Sequence, residues 1–553
     1  MRKALLIAVA LAAAPAGAHA DVLNVPVPYS TIQKAMDAAT AGDTVLVAPG
    51  TYTDCTHVSQ EPDGAVACVI MKSGVTLSGS GSDVTTIDAQ KLGMCVYCKD
   101  VVDAVIEGFT LRNADEENGG WQWAPAVMCR QSSPTIRHCD VGPNYDGGVI
   151  CKQSSDAVIH DCAFKGNSAK AGGGLLASDG SAPTVEDCEF DGNDAPIGGA
   201  IYIDDASPTI ERCNVTNNAA LGAGSGGGLL AVYGSTPTVR HCLFAGNQCG
   251  YYGGGLCLEN SGGQVIACTI RDNRSTGDFR HGGGVSFEDG STTSMDSCFI
   301  VWNETEGEDS DGGGIYCSGG SNVTLTNCTI SNNKVAPSIS KGEGGGIAMS
   351  NSSPTIERTI VAHSGIGKGL VCLGTSNPVV SCCDIYGNQG GNLVCGTDAG
   401  GNFSADPLFC DTLAYNFRIG TASPCAPGNH PSGPDTCGGA LIGAGPPGCF
   451  GAVEDGGVPI TRSPLLIRNT PNPFNFTTTI VFGLAEPTPV HLRIYDVTGR
   501  EVAALADCPM SVGTHRVTWD GTTHTGARAA SGIYFYRLTA GEHTQTGRMV
   551  MVR

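Results

Sequence analysis

Between residues 124 and 388 the chain repeats one short pattern ten times. The pattern is an apolar residue, two variable residues, cysteine, one variable residue, an apolar residue, two variable residues and asparagine. The cysteine register runs Cys139, Cys162, Cys188, Cys213, Cys242, Cys268, Cys298, Cys328, Thr359 and Cys383. The residue three before is always Ile, Val, Leu or Met, and the residue two after is always Val, Ile or Phe. Asparagine follows five positions on in nine copies; the exception, Ser364, falls in the copy that carries Thr359. Each unit is followed by glycines and an alternating stretch, as in Gly172-Gly173-Gly174-Leu175-Leu176-Ala177 and Gly198-Gly199-Ala200-Ile201-Tyr202-Ile203. Alternation with period two marks strands, not helices.

Strands this short cannot hide an apolar side alone, so each repeat must stack on the next. Parallel strands joined by tight turns then wind into a right-handed parallel β-helix with coils about 4.8 Å apart. Stacking makes columns. The asparagines can hydrogen-bond from coil to coil and tolerate left-handed backbone. The cysteine column points inward as small apolar groups. In-register neighbours have parallel Cβ vectors at the strand spacing, which suits disulfides poorly, so buried free thiols are expected. Disulfides are expected off register: Cys55 with Cys68, Cys395 with Cys410, and a pair among Cys425, Cys437 and Cys449.

The array needs ends. Ser30-Thr31-Ile32-Gln33 reads as a capping box opening a short helix with Ile32, Ala35, Met36 and Ala39 on one side, placed to plug the first coil. Earlier, less regular coils run Thr44 to Val47, Val75 to Ile87 and Val101 to Asn113. The Pro/Gly/Cys-rich stretch from Ser423 to Cys449 reads as the other cap. Six alternating strands split by Gly and Pro turns over residues 467–553 predict a small β-sandwich. The fold class is therefore all-β. Its expected divisions are a signal peptide (1–20), an N-terminal cap helix region (21–43), the β-helix with its C-terminal cap (44–450), a linker (451–466) and the sandwich (467–553).

Arg2-Lys3, the apolar run Ala4 to Ala14 and Ala18-His19-Ala20 form a secretory leader with an A-x-A cleavage site. No apolar run is long enough to span a membrane. Export would place the 26 cysteines where disulfides persist. A composition with 79 glycines, 15% charged and 6% aromatic residues is too apolar for a disordered chain and too glycine-rich for a helical bundle. A formal charge of −22 argues against nucleic acid and anionic membrane surfaces as partners.

The opening from Ser30 to Tyr52 and the ten repeats resemble the right-handed β-helix proteins related to pectate lyases. The Gly198-Gly199-Ala200-Ile201 block and the Phe-x-x-Asn copies at Phe164, Phe190 and Phe244 are similar to repeats of chlamydial polymorphic membrane proteins, which are adhesins. The polygalacturonase motifs do not occur as a set: Asp204-Asp205 is present without Gly-His-Gly or Arg-Ile-Lys. Further on, Asn472-Pro473-Phe474-Asn475, Gly499-Arg500-Glu501-Val502, His515 to Gly521 and Ser531 to Leu538 resemble the C-terminal sorting domain of type IX secretion substrates. The immunoglobulin-like domain of flagellar hook-capping proteins is closely similar. The sorting resemblance implies passage through a secretion machinery and attachment at the cell surface.

All length variation sits in the loop between asparagine and glycines, which ranges from two to ten residues. The longest loops lie near the two ends of the array and predict tall flaps flanking a saddle, a common binding face in repeat proteins. The first flap carries Trp121 and Trp123, rings suited to stacking on sugars or to packing on the coil. Others carry Tyr251, Tyr252, Asp278, Phe279, Arg280, His281 and the acidic run Glu304, Glu306, Glu308, Asp309, Asp311. That run could hold calcium, which wants several oxygens, but it lacks a regular ligand spacing, so a solvated loop and no cofactor are expected.

In the strand after the glycines, alternation sends Met128, Ile150, Leu176, Tyr202, Leu230, Cys257, Ser286, Tyr316 and Ala348 outward as a floor. Two residues on lie Arg130, Lys152, Ser178, Asp204, Val232, Glu259, Glu288, Ser318 and Ser350. Glu259 and Glu288 fall one coil apart, near the spacing of a retaining glycosidase pair; Asp204 and Glu259 fall nearer the inverting range. His281 precedes the glycines of the Glu288 coil. Arg130 or Lys152 would suit a lyase, which must pull a proton beside a uronate carboxylate. Two functional classes follow. One is a surface-attached protein that binds polysaccharide or a neighbouring surface through Trp121, Trp123, Arg130, Tyr202, Tyr252 and Tyr316. The other is a polysaccharide lyase or glycosidase using Asp204, Glu259, Glu288, His281 or Lys152.

Overall fold

The computed structural model describes residues 20–55, 57–58, 66–115, 123–220, 222–276, 281–307, 310–335, 344–449, 465–470, 478–484, 488–510, 513–524, 528–541 and 543–551. The leader, Trp121, residues 278–280, Glu308, Asp309, 336–343 and 451–464 lie outside them, and so do the tips of both tall flaps. The chain forms two compact units, Met1–Cys188 and Glu189–Arg553.

In the first unit the strand Val22–Val25 pairs in parallel with Thr44–Val47, and the helix Ile32–Ala38 lies between them in sequence. Thr31, not Ser30, caps the helix: it is the extended residue, and its Oγ1 accepts from the Lys34 N–H at 3.2 Å. Gln33 does not reach back to close a box; its Oε1 accepts from the Ile70 N–H at 2.7 Å. Ile32, Ala35, Met36 and Ala39 are all buried, and the helix packs on the first strands.

Both units are built of rungs with one strand on each of three parallel sheets. A rung of the second unit runs Leu256–Glu259 (third sheet), Gln264–Ile266 (first sheet) and Thr269–Arg271 (second sheet). In this unit a fourth, two-residue strand follows the asparagine, as at Arg274–Ser275. Neighbouring rungs pair in register, for example Leu256 with Val285 and Glu259 with Glu288.

The turn from the first sheet to the second is made by a single residue in each rung. The residue before every column position, from His138 to Cys382, has φ between 46° and 56°. Non-glycine residues enter this left-handed region seldom. Here one such residue bends the chain from the first sheet to the second and aims a thiol at the carbonyl two positions back. The column thiols donate to that carbonyl at 3.1–3.4 Å. Thr359 substitutes isosterically, its Oγ1 donating to the Glu357 carbonyl at 3.0 Å. All column cysteines are free and buried, as the stacking argument required. Burial pushes the Cys383 thiol up to about 12, which keeps it protonated and unreactive.

Five residues later the buried asparagines form a ladder. Asn247, Asn273 and Asn303 each donate Nδ2–H to the next Oδ1 at 3.0 Å, and that same oxygen accepts the backbone N–H of the donating residue. The second amide hydrogen goes to a carbonyl, as from Asn273 to Phe244 at 2.9 Å. Every polar atom of the side chain is satisfied, as burial demands. A serine ladder at the third bend was not expected from the sequence: Ser261, Ser291 and Ser321 donate backbone N–H to Ser291, Ser321 and Ser352 hydroxyls at 3.1–3.2 Å.

Four disulfides form: Cys55–Cys68, Cys372–Cys395, Cys382–Cys437 and Cys410–Cys449. The expected Cys395–Cys410 bond and the pairing within Cys425, Cys437 and Cys449 are wrong. Cys372 and Cys382, hidden among repeat cysteines, take two of those partners. The segment expected as a terminal cap instead runs along the outer face of the second sheet. Tyr415 donates to Asp272 at 3.1 Å, Trp302 to the Thr412 carbonyl at 3.4 Å, and Ala444 N–H to Thr329 Oγ1 at 2.9 Å. The reason is apolar: Ile360 and Ala362 point out of that sheet and are fully covered by Ile419, Cys425, Ala426 and Ile442.

The C-terminal sandwich has seven strands in sheets of three and four. Its core holds Phe482, Leu492, Ile494, Leu538 and Trp519. Trp519 Nε1 donates to the Thr522 carbonyl at 2.8 Å, and its ring meets Tyr534 edge-on at 5.2 Å. Among the described residues no helix is long and apolar enough to cross a membrane.

Candidate functional site

The outward row of the third sheet is not the open floor the alternation suggested. In the second unit Leu230 is 3% exposed, Ser286 0% and Tyr316 7%. The glycine turns are the cause. Gly253, Gly282 and Gly312 have φ of 67–70°, and a Cβ there would collide with the carbonyls of Leu256, Val285 and Ile315. It would also press on the Cβ atoms of Cys257, Ser286 and Tyr316. Each turn therefore folds back against the outward residue of its own strand. Only glycine permits this approach.

The residues just ahead of these glycines, Tyr252, His281 and Asp311, bridge from rung to rung. Tyr252 and His281 bring their rings into one stack with Tyr316 of the strand. His281 lies 4.1 Å from Tyr316 and 5.9 Å from Tyr252, with planes 14° and 15° apart. Tyr251 adds a tilted ring 4.0 Å from Tyr252. His281 Nδ1 accepts the Asp311 N–H at 2.9 Å, so the neutral ring holds its proton on Nε2. Tyr251, Tyr252 and His281 are half-buried and keep ring surface in water.

On the same strands lies Glu288, in register with Glu259 on one side and one rung from Ser318 on the other. It is 4% exposed, and its two carboxylate oxygens accept from the hydroxyls of Ser286 and Ser318. Burial raises its pKa to about 7; the serine bonds oppose the shift, and the charges of Asp289 and Glu259 add to it. Burial, then Asp289, also raises Glu259, which is half-buried. Burial lifts the phenols of Tyr252 and Tyr316 above their usual range; the Glu288 charge contributes.

Of the residues expected at a site, Tyr252, His281, Tyr316, Glu259 and Glu288 come together here. Tyr202 and Asp204 share the sheet two rungs away, with the Tyr202 hydroxyl 3.5 Å from Asp204. Burial, then Asp204, raises the Tyr202 phenol. The serine braces Ser286 and Ser318 stand out in the sequence only as small outward residues, so their role was not legible there.

In the first unit the same sheet carries a basic row. Lys99, Arg130 and Lys152 stand in register on three rungs. Lys152 Nζ lies 5.1 Å from the Trp123 ring and Lys170 Nζ 5.7 Å, both within cation–π range. Arg130 Nε donates to Gln153 at 3.4 Å. Trp123 is half-buried, between the two outcomes foreseen for it.

The described members of the acidic run are engaged separately. Glu304 pairs with Lys334 at 3.1 Å, Glu306 pairs with Arg274, and Asp311 accepts the Gly344 N–H at 3.3 Å. Among the described residues, His138, His160 and Asp161 alone gather metal-type donor atoms, all within 4.8 Å. His138 and Asp161 are exposed and His160 half-buried, with Asp161 3.0 Å from His160.

A profile of the FlgD Ig-like domain matches residues 472–543. Among solved structures, the A-module of the mannuronan C-5 epimerase AlgE4 from Azotobacter vinelandii is 16% identical over 68% of this chain and 94% of its own, with a TM-score of 0.41. The tailspike gp42 of Acinetobacter phage vb_AbaP_AS12 is 10% identical over 94% and 78%, with a TM-score of 0.34. Latent dimeric PorU from Porphyromonas gingivalis is 23% identical over 15% of this chain, which spans only 9% of PorU, with a TM-score of 0.14. No curated protein matches. A profile described as the right-handed beta helix region matches residues 69–252 and 253–406, the span of stacked rungs, and the chain belongs to that family.

Proposed function

We propose that this is an exported polysaccharide-binding protein whose ring-lined third sheet in the second unit receives the glycan. The carrying observation is the stack of Tyr252, His281 and Tyr316 beside the acidic pair Glu259 and Glu288. The half-exposed rings of Tyr251, Tyr252 and His281, backed by the buried Tyr316, offer flat apolar faces to sugars, and the His281 Nε2–H and the Tyr251 and Tyr252 hydroxyls offer hydrogen bonds to sugar hydroxyls. The basic row with Trp123 offers a second contact for glycans carrying carboxylates. Four disulfides fit an oxidising compartment, and the sandwich is read as a sorting module for outer-membrane export and surface attachment.

Catalysis is the second reading, favoured by one fact: an acid raised to about 7 beside a second carboxylate suits a general acid. Against it, both Glu288 oxygens are already bonded to serines and the group is nearly sealed from solvent. Binding is therefore the better reading.

The test is a panel of neutral and acidic polysaccharides offered to the full chain, scored for binding, for new reducing ends and for unsaturated products. Binding without product, weakened in Tyr316→Ala, supports the first reading. Turnover abolished in Glu288→Gln or Glu259→Gln replaces it with the second. Removal of residues 467–553 should trap the protein inside the cell envelope; unchanged surface display would refute the sorting role.

A further inference from the structure

A cavity lies under the segment that crosses the outer face of the second sheet. Its volume is about 560 Å³, within the usual range for small-molecule pockets. One wall is the outer face of the sheet, with Arg271 and Phe299; the other is the crossing segment, with Tyr415, Phe417, Arg418 and Leu441. Cys382–Cys437 ties the crossing segment to the rungs, and Cys410–Cys449 closes the two ends of the segment on each other, so the cavity is built before any ligand arrives. Preformed pockets lose less on binding.

The charges in it are unequal. Arg271 is engaged: its guanidinium pairs with Asp272 at 2.5 Å and lies 4.4 Å from the Tyr415 ring centroid. Arg418 is half-buried and, among the described residues, makes no ion pair or side-chain hydrogen bond. Burial lowers its pKa, the sign of a cation short of compensation. Gly445, with φ of 73°, lines the cavity, and a Cβ there would press on the Phe299 ring at 3.2 Å and meet the Arg418 stem at 3.9 Å. A guanidinium in a fixed fork, set among aromatic and aliphatic walls, matches a carboxylate carried on a flat apolar body.

We propose that this cavity binds a small aromatic carboxylate, with Arg418 holding the carboxylate and Phe299, Tyr415, Phe417 and Leu441 enclosing the ring. The site is independent of the glycan face and stands or falls separately. It also runs against the net charge of −22, so an anion would be drawn by Arg418 locally, not by the protein as a whole.

The experiment is titration of the full chain with sodium benzoate and with benzamide, its neutral isostere, followed by calorimetry and saturation-transfer NMR. Benzoate should bind at least about ten-fold more tightly than benzamide. Arg418→Gln should bring benzoate down to the benzamide level, and Arg418→Lys should recover part of the difference. Ala440 is exposed and lines the cavity, so Ala440→Trp should fill it without disturbing the fold and weaken both ligands. Equal affinity for the two ligands, no binding of either, or benzoate binding untouched by Arg418→Gln or Ala440→Trp overturns the proposal. Should Arg418→Gln fail to fold, the wild-type preference and Ala440→Trp decide.

Discussion

The third sheet presents two chemistries from one backbone position. In the first unit the residue two beyond the outward row is Lys99, Arg130 and Lys152 on successive rungs. In the second unit it is Asp204, Val232, Glu259, Glu288 and Ser318. The basic row stays half-exposed, its long stems reaching water and the Trp123 ring. The acidic row is short-stemmed, and one member is nearly buried, braced by serines and raised to about 7. Rung geometry sets where a side chain stands; its length and cover set whether stacked like charges are screened by water or relieved by protonation.

The comparison breaks first if the rungs under the acidic row lose their register. Asn273→Ala removes two donors and an oxygen that serves two partners inside the ladder. Leaving buried groups unsatisfied should cost about 4 kcal/mol, read by denaturant unfolding. Loss of less than about 1 kcal/mol would mean the ladder is incidental.

Next in size is the pH dependence of Glu288. Its folded pKa is raised from 4.5 to about 7. Its contribution is therefore fully present below about pH 4.5 and is lost as pH rises through 7. Glu288→Gln should match wild type near pH 4 and be more stable by roughly 2–3 kcal/mol at pH 8. Equal stability of the two proteins across that window would show that the carboxyl is not buried as described. Asp384, raised to about 7 chiefly by burial, predicts the same sign for Asp384→Asn.

Smaller effects separate the faces. Tyr316→Ala should weaken glycan binding by roughly ten-fold, about 1.4 kcal/mol, in an affinity titration. Lys152→Gln should weaken only anionic glycans, by about three-fold, with the difference fading at high salt. A neutral glycan that responds equally to Lys152→Gln would erase the distinction between the two rows.

Much of this was legible along the chain. The Cys139-to-Cys383 register predicted inward free thiols, and the asparagines five residues on predicted their ladder, because a repeated interval becomes a column once rungs stack. Cys55–Cys68 was legible because the two lie close in sequence and off the register. Cys372 and Cys382 were not, since nothing in their neighbourhoods distinguishes a cysteine that meets a distant partner from one that packs inward. Nor was the path of residues 409–449, which answers to apolar side chains such as Ile360 on a face that alternation marks only as outward.

The sequence by itself determined the rung, its columns and the sandwich that follows, because each depends on spacing within about thirty residues. Only the tertiary structure decided which outward residues are covered, which carboxylate loses its water, which cysteines bond and where a cavity remains. Those outcomes depend on surfaces brought together from remote parts of the chain, and burial, unlike periodicity, is a property of the neighbours and not of the residue.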